Sequence, residues 1–117
     1  MNLQNYVDGF LCPVKTRDRE RYLAVATAAA ALFKQHGALS VVECWGDDVP
    51  EGKLTSMPMA VKLEQDEIVV FSWVVWPDKT VRDQGMKAVM DDPAMPKDMP
   101  FDGKRLIYGG FQPILVA

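Results

Sequence analysis

The stretch EIVVFSWVVW, residues 67–76, decides the fold of this chain. It consists mainly of β-branched and aromatic residues, which are favoured in strands. Side chains alternate between the two faces of a sheet, and both sets are apolar here. One face carries Ile68, Val70, Val74 and Trp76, and the other carries Val69, Phe71, Trp73 and Val75. This pattern predicts a central strand of a sheet that is covered on both faces.

Strand and helix patterns follow one another on both sides of this stretch. Residues 17–36 place apolar side chains at the i, i+3, i+4 and i+7 spacing of one helix face, with Thr16 as the expected N-cap. A second helix is predicted between Pro77-Asp78 and Asp92-Pro93. The alternating apolar pattern of further strands covers residues 5–14, 39–46 and 104–116.

The order of these elements is β-α-β, a long loop, and β-α-β again. It predicts one ferredoxin-like α+β domain over residues 1–117, with an antiparallel sheet in the order 4-1-3-2 and both helices on one face. The helices then cover only one apolar face of residues 67–76. We therefore predict a homodimer in which two sheets pack face to face. Trp45, Trp73 and Trp76 would stabilise that interface or stack on a planar ligand.

Residues 48–66 form a loop that is long for a compact domain, and loops of this length are usually functional. Within it, Ser56 is placed to cap a short helical turn over residues 57–62. The loop is a candidate lid over a ligand cleft.

The paired glycines Gly109-Gly110 raise the question of an anion-binding loop. A phosphate-binding loop needs glycines between a strand and a helix N-terminus. These two lie inside an apolar strand, and no helix pattern follows them. Glycine in that context indicates a bulge or the close approach of another group.

Composition excludes several function classes. The net charge is −3, from 13 basic and 16 acidic residues, and no basic cluster favours nucleic acid. No apolar run is long enough to span a bilayer, and the first residues lack the pattern of a signal peptide, so we expect a cytoplasmic protein. Cys12 and Cys44 are expected to be thiols. With one histidine and no paired cysteines, the sequence predicts no metal site and no cofactor.

Three polar side chains interrupt the apolar strands: Asp8, Glu43 and Ser72. A carboxylate among apolar neighbours is costly to bury unless it is paired, and desolvation raises its pKa. Asp8 and Glu43 are therefore perturbed acid–base groups, members of ion pairs with Arg105 or Arg82 as partners, or side chains at strand ends that reach water. The candidate ligand-binding residues are Asp8, Glu43, Ser72, Arg105 and Tyr108, and none is assigned a catalytic role.

Six segments together resemble a known family. They are YVDGFLCPV (residues 6–14), HGAL (36–39), VECWGDDVPEGKLTS (42–56), DEIVVFSWVVWP (66–77), VMDDPAM (89–95) and MPFDGKRLIYGGF (99–111). They are similar, in this order and over essentially the whole chain, to the YbaA-like family of small bacterial proteins, a domain of unknown function. The resemblance implies a member of the dimeric α+β barrel superfamily, whose subunits pair through their sheets. It implies no reaction, cofactor or catalytic residue.

Three functions are compatible with these observations. The first is a homodimer that binds a small apolar or aromatic metabolite in a cleft of each subunit. The second, by analogy of fold, is a cofactor-independent oxygenase or isomerase with Asp8 or Glu43 as base and Tyr108 or Arg105 next to a developing oxyanion. The third is a structural or regulatory dimer that binds another protein and has no cleft.

Overall fold

A computed structural model describes all residues, 1–117, and shows four strands and three α-helices. In chain order they are β1 (Tyr6–Lys15), α1 (Arg19–Gln35), β2 (Ser40–Trp45), α2 (Met57–Ala60), β3 (Glu67–Trp76), α3 (Lys79–Asp91) and β4 (Ile107–Phe111). A single 3-10 turn, Thr16–Asp18, joins β1 to α1.

The four strands form one antiparallel sheet in the order β2-β3-β1-β4. Strand β3 lies between β2 and β1, so residues 67–76 are central, as their pattern predicts. Strand β4 pairs with the other side of β1, from Val7↔Phe111 to Leu11↔Ile107. This is the predicted order 4-1-3-2 read from the opposite edge, and the ferredoxin-like α+β fold is confirmed.

Helices α1 and α3 cover one face of the sheet, called here the helix face. Two apolar clusters fill the space beneath them. The first contains Cys12, Val14, Tyr22, Ala26 and Val70. The second contains Phe33, Ala38, Val74, Trp76 and Val89. Each cluster combines strand residues of one alternation set with the apolar stripe of a helix, because that pairing removes both apolar surfaces from water.

The opposite face of the sheet, called here the open face, has no long helix over it. Helix α2 packs against β3 near residues 67–69. Beyond it, the Phe71 side chain is 43% exposed and Phe111 is 61% exposed. The rings of Phe71 and Trp73 lie 5.4 Å apart on this face. The prediction that the two helices leave one apolar face uncovered is therefore confirmed.

Two of the three α-helices begin where the sequence predicts, and one does not. The Ser56 side chain accepts a hydrogen bond from Met59 N (3.1 Å) at the start of α2, and Asp78 accepts one from Val81 N (2.8 Å) at the start of α3. The assignment of Thr16 as the N-cap of α1 was wrong. Thr16 begins the 3-10 turn, and the α1 cap position is occupied by Asp18 without a side-chain hydrogen bond.

Strand β4 is shorter than the predicted residues 104–116. It begins late because residues 102–105 form a turn, in which Asp102 O accepts from Arg105 N (3.0 Å). It ends at Phe111, opposite Val7 of β1. Pro113, two residues further on, has no N–H to continue the ladder.

The prediction for the paired glycines is confirmed at Gly110. A Cβ atom at this position would lie 2.6 Å from Tyr6 Oη and 2.7 Å from Arg82 Nη2. Both distances are shorter than any ordinary contact of a methyl group. Gly110 is thus a place where two other side chains approach the backbone closely, and it does not form part of an anion-binding loop.

Candidate functional site

A cavity of about 320 Å³ lies between the helix face of the sheet, α1 and the segment of residues 90–106. Fifteen of its 18 lining residues are hydrophobic. The sheet contributes Phe10, Cys12, Val41, Glu43, Ser72 and Val74; α1 contributes Tyr22, Val25, Ala26, Ala29, Ala30 and Phe33; and residues 90–106 contribute Met90, Met95, Pro96, Met99, Phe101 and Leu106. Its size and apolar walls are typical of a small-molecule site.

The alanines of α1 explain why space remains at this position. Ala26, Ala29 and Ala30 face the cavity from successive turns of the helix. Methyl side chains fill less of the space between α1 and the sheet than larger side chains would, and the methionines of residues 90–106 close the remaining gap from the side. Methionine fits irregular apolar spaces because its side chain is unbranched and flexible. The cavity is therefore lined by adaptable side chains on one side and a rigid sheet on the other.

A polar cluster lies at one end of this cavity. Tyr22 Oη donates a hydrogen bond to Glu43 Oε1 at 2.6 Å. Ser72, which is opposite Glu43 in the register of β2 and β3, also hydrogen-bonds to Glu43. The Cys12 thiol lies within hydrogen-bond reach of Tyr22. Glu43 is exposed as a whole residue, but its carboxyl group is partly buried where it meets the Tyr22 hydroxyl.

Burial controls the ionisation of this cluster. Desolvation raises the pKa of Glu43, against the opposing hydrogen bonds from Tyr22 and Ser72. Burial also raises the pKa of Cys12 to about 12, and it raises the pKa of Tyr22. Cys12 and Tyr22 thus remain protonated at neutral pH. Glu43 is the one group of the cluster that ionises in the acidic range, and its raised pKa makes its charge sensitive to a bound ligand.

Glu43 differs from the two fully buried acidic residues. Asp8 Oδ1 is 2.8 Å from Arg82 Nη2, and its Oδ2 accepts from Trp76 Nε1 at 2.9 Å. Glu67 binds both terminal nitrogens of Arg105, at 2.7 and 2.8 Å, and this pairing lowers the pKa of Glu67. No cationic side chain of the protein forms an ion pair with Glu43.

The structure separates the five predicted site residues. Glu43 and Ser72 line the cavity together. Asp8 lies in the ion pair with Arg82, one of the two partners that the sequence suggested. Arg105 binds Glu67 and Asp102 instead of either strand carboxylate that the sequence suggested. The Tyr108 ring stacks on Phe10 at 6.2 Å, but its side chain is 75% exposed and does not line the cavity.

Two predictions for other residues are corrected. Trp76 is fully buried in the core, so it contributes neither to an open-face interface nor to a ligand site. Residues 48–66 do not line the cavity, and the segment of residues 90–106 covers it instead. The loop borders a separate groove of about 670 Å³ beside the start of β3, with the acidic residues Asp47, Glu51 and Glu64 in its lining.

The sequence reasoning missed Tyr22 as a member of the site. It appeared to be one more apolar position on the helical stripe, beside Val25 and Ala26. A hydroxyl on such a stripe is itself a signal, because a buried tyrosine usually finds a hydrogen-bond partner. Glu43 was the available acceptor on the neighbouring strand.

Comparisons with known proteins now place the chain in a family. A family model described as "Protein of unknown function (DUF1428)" matches residues 5–103. The chain belongs to this family. It is 52% identical over 113 residues to the uncharacterized protein YbaA of Escherichia coli strain K12, which covers 94% of this chain and 97% of that protein, and equally to YbaA of Shigella flexneri. The resemblance to YbaA-like bacterial proteins is confirmed.

A solved structure shares the fold. A mutant of SnoaB, a cofactor-independent oxygenase from Streptomyces nogalater, superposes with a TM-score of 0.57 at 12% identity, over 97% of this chain and 96% of SnoaB. At this identity the likeness establishes the fold alone, the α+β architecture described above. None of the helices is both long enough and apolar enough to cross a bilayer.

Proposed function

We propose that the protein is a homodimer that binds a small apolar or aromatic metabolite in the cavity of each subunit. The observation that carries this proposal is the cavity itself, with apolar walls and a few converging polar groups at one end. A dimer that only binds another protein would be favoured by an interior without a cleft. The cavity therefore argues against that alternative. The free thiols Cys12 and Cys44 support a reducing compartment such as the cytoplasm.

The open face supports the dimer. Phe71, Trp73 and Phe111 leave aromatic surface in water on a face that the helices do not reach. Contiguous apolar surface of this kind is usually an interaction site. A second copy of the chain is the occupant that we propose, because a two-fold axis lets the same patch cover itself. The resemblance to YbaA-like proteins, which implies subunits that pair through their sheets, supports the same arrangement.

The substitution Phe71→Arg should dissociate this dimer. Because the dimer is two-fold symmetric, the substitution places one unpaired charge from each subunit in the apolar interface. We expect the dissociation constant of the dimer to rise by roughly a hundredfold or more. The folded subunit should persist, because the Phe71 side chain is already 43% exposed. Sedimentation equilibrium measures the change. Tyr108→Arg is the matched control, since it makes an aromatic residue charged outside the open face. Equal dimerisation of wild type and Phe71→Arg would contradict the proposed interface.

The substitution Ala30→Trp should fill the cavity and exclude the ligand. Ala30 lines the cavity, whereas Ala28 lies on the exposed side of the same helix. Native mass spectrometry of gently purified protein should show a dimer with one added mass per subunit for wild type and for Ala28→Trp. Ala30→Trp should give a dimer without the added mass. An added mass that persists in Ala30→Trp would place the ligand elsewhere, and its absence from wild type even after metabolite screening would oppose the proposal.

A second candidate function is a cofactor-independent oxygenase or isomerase. The observation that favours it is the pair Glu43–Tyr22, in which a carboxylate of raised pKa lies 2.6 Å from a phenolic hydroxyl at the cavity mouth. Glu43 would accept a proton from the substrate, and the Tyr22 hydroxyl, whose one proton is donated to Glu43 in the free protein, would turn to hydrogen-bond to the oxyanion that develops. Carbon-detected NMR titration of Glu43 tests this role. An ordinary acidic pKa, both in the free protein and with ligand, would exclude it.

A further inference from the structure

The cavity contains one charge and no counterion. Its 18 lining residues include Glu43 but no lysine, arginine or histidine. Arg19 shares with Glu43 a small adjoining depression of about 110 Å³, and its guanidinium carbon lies 5.5 Å from the centre of the Trp45 ring. It forms no ion pair with Glu43. In contrast, the buried carboxylates of Asp8 and Glu67 each have an arginine within the chain.

We infer that the cavity selects a cationic ligand, an amine carried on an aromatic or apolar body, whose ammonium group pairs with Glu43. This inference rests on the proposed ligand-binding role of the cavity. The apolar body would occupy the space between α1 and the sheet, and the ammonium group would lie at the mouth. The ligand would thus supply the cation that Asp8 and Glu67 obtain from arginine.

The hydrogen-bonding capacity of Glu43 fits this arrangement. An ionised carboxylate offers about four lone-pair sites, and the hydroxyls of Tyr22 and Ser72 use two of them. Acceptor positions therefore remain for an N–H donor. A ligand that fills the cavity also displaces water from the carboxylate, and an uncompensated charge in such a place is costly. An ammonium group offsets that cost, an alcohol offsets it only in part, and a second carboxylate increases it.

The dependence on pH has a defined sign. An ammonium ion binds the ionised form of Glu43, so affinity should increase as the pH rises through the elevated pKa of Glu43. The other groups that face Glu43 do not interfere in this range. Tyr22 and Cys12 have raised pKa values and stay neutral, and the Arg19 guanidinium lies over the Trp45 ring.

Three probes that share one hydrophobic body test the inference: phenylbutylamine, phenylbutanol and phenylbutanoate. Isothermal titration calorimetry on the full chain should give roughly tenfold tighter binding of the amine than of the alcohol, and the weakest binding for the carboxylate. The substitution Glu43→Gln keeps the shape of the side chain and removes its charge. It should weaken amine binding about tenfold while alcohol binding changes less than about twofold. Glu51→Gln, in the exposed loop, is the matched control and should leave all three affinities unchanged.

The outcomes separate this inference from the function on which it rests. Equal binding of amine and alcohol, or tightest binding of the carboxylate, would overturn the cationic selectivity and leave the cavity as a ligand site. Amine binding that is unchanged in Glu43→Gln would also overturn it. If all three probes fail to bind, both the inference and the apolar-ligand proposal lose their support. Alcohol binding by Glu43→Gln shows that the variant is folded around an intact cavity.

Discussion

The substitution Gly85→Ala should lower the free energy of unfolding by about 3 kcal/mol, although alanine is a better helix former than glycine. Gly85 is buried in α3. A Cβ atom there would lie 2.5 Å from the carbonyl oxygen of His36 and would collide with the six-membered ring of Trp76. Neither neighbour can move easily, because one is backbone and the other is a fully buried indole. Overpacking in such a place outweighs the roughly 1 kcal/mol that helix propensity contributes.

Thermal and urea unfolding measure this effect. For a chain of this length we expect the Tm to fall by about 10 °C. Gly103→Ala is the matched control, because no heavy atom lies within 4 Å of the methyl group that it adds. Its free energy of unfolding should change by less than about 0.5 kcal/mol. A Gly85→Ala protein as stable as wild type would mean that α3 is free to move away from Trp76, and the close packing of helix and sheet would have to be abandoned.

Much of the fold could be predicted because the local patterns are long and regular. Residues 67–76 contain no glycine or proline, and the apolar residues between 22 and 33 keep helical spacing through about three turns. The end of β4 could not be predicted in the same way. Residues 114–116 are apolar, but whether this segment pairs depends on where β1 begins, which is information from another part of the chain.

The site was harder to predict because its partners are distant in sequence. Alternation groups Glu43 with Val41 and Trp45 but does not say which face of the sheet they occupy; the structure places Glu43 and Ser72 together in the lining of the cavity. The partner of Asp8 is separated from it by 74 positions, so sequence reasoning could only offer Arg82 and Arg105 as alternatives. Arg82 is the partner because α3 packs against the end of the sheet next to Asp8, and this packing is visible only in the structure.

The cavity itself had no local signal. Residues 93–103 are rich in proline and polar residues, a composition that predicts only a connecting loop. This segment lines the cavity because side chains near both of its ends bind other elements. Asp92 Oδ2 lies 2.9 Å from His36 Nε2, and Arg105 binds Glu67. The hydrogen bond from His36 lowers the pKa of Asp92. These are tertiary contacts, which no periodicity within the segment can indicate.

The substitution Asp8→Ala should cost about 3 kcal/mol of the free energy of unfolding. Asp8 is 3% exposed, and its removal leaves two donors without their acceptor, the guanidinium of Arg82 and the indole N–H of Trp76. Breaking a buried pair by deleting one member typically costs 3–5 kcal/mol. We expect the lower end of that range, because the Arg82 side chain is 24% exposed and can regain some water.

Chemical denaturation of three variants tests this account. Asp83→Ala is the matched control, since Asp83 also binds Arg82 (2.9 Å) but is half exposed, and it should cost less than about 1 kcal/mol. Asp8→Asn keeps an acceptor for Trp76 while removing the charge, so its cost should fall between those of Asp8→Ala and Asp83→Ala. Equal costs for Asp8→Ala and Asp83→Ala would contradict the buried ion pair.

The substitutions Asp8→Asn and Glu43→Gln together distinguish the roles of the two strand carboxylates. If Asp8 is a structural partner of Arg82, then Asp8→Asn should lower stability and leave ligand affinity unchanged once the protein is folded. Glu43→Gln should do the reverse, because Glu43 has no cation in the chain to lose and lies at the mouth of the cavity. Measuring both quantities on both variants therefore tests whether the unpaired carboxylate is the functional one. A loss of ligand binding in folded Asp8→Asn would contradict this division.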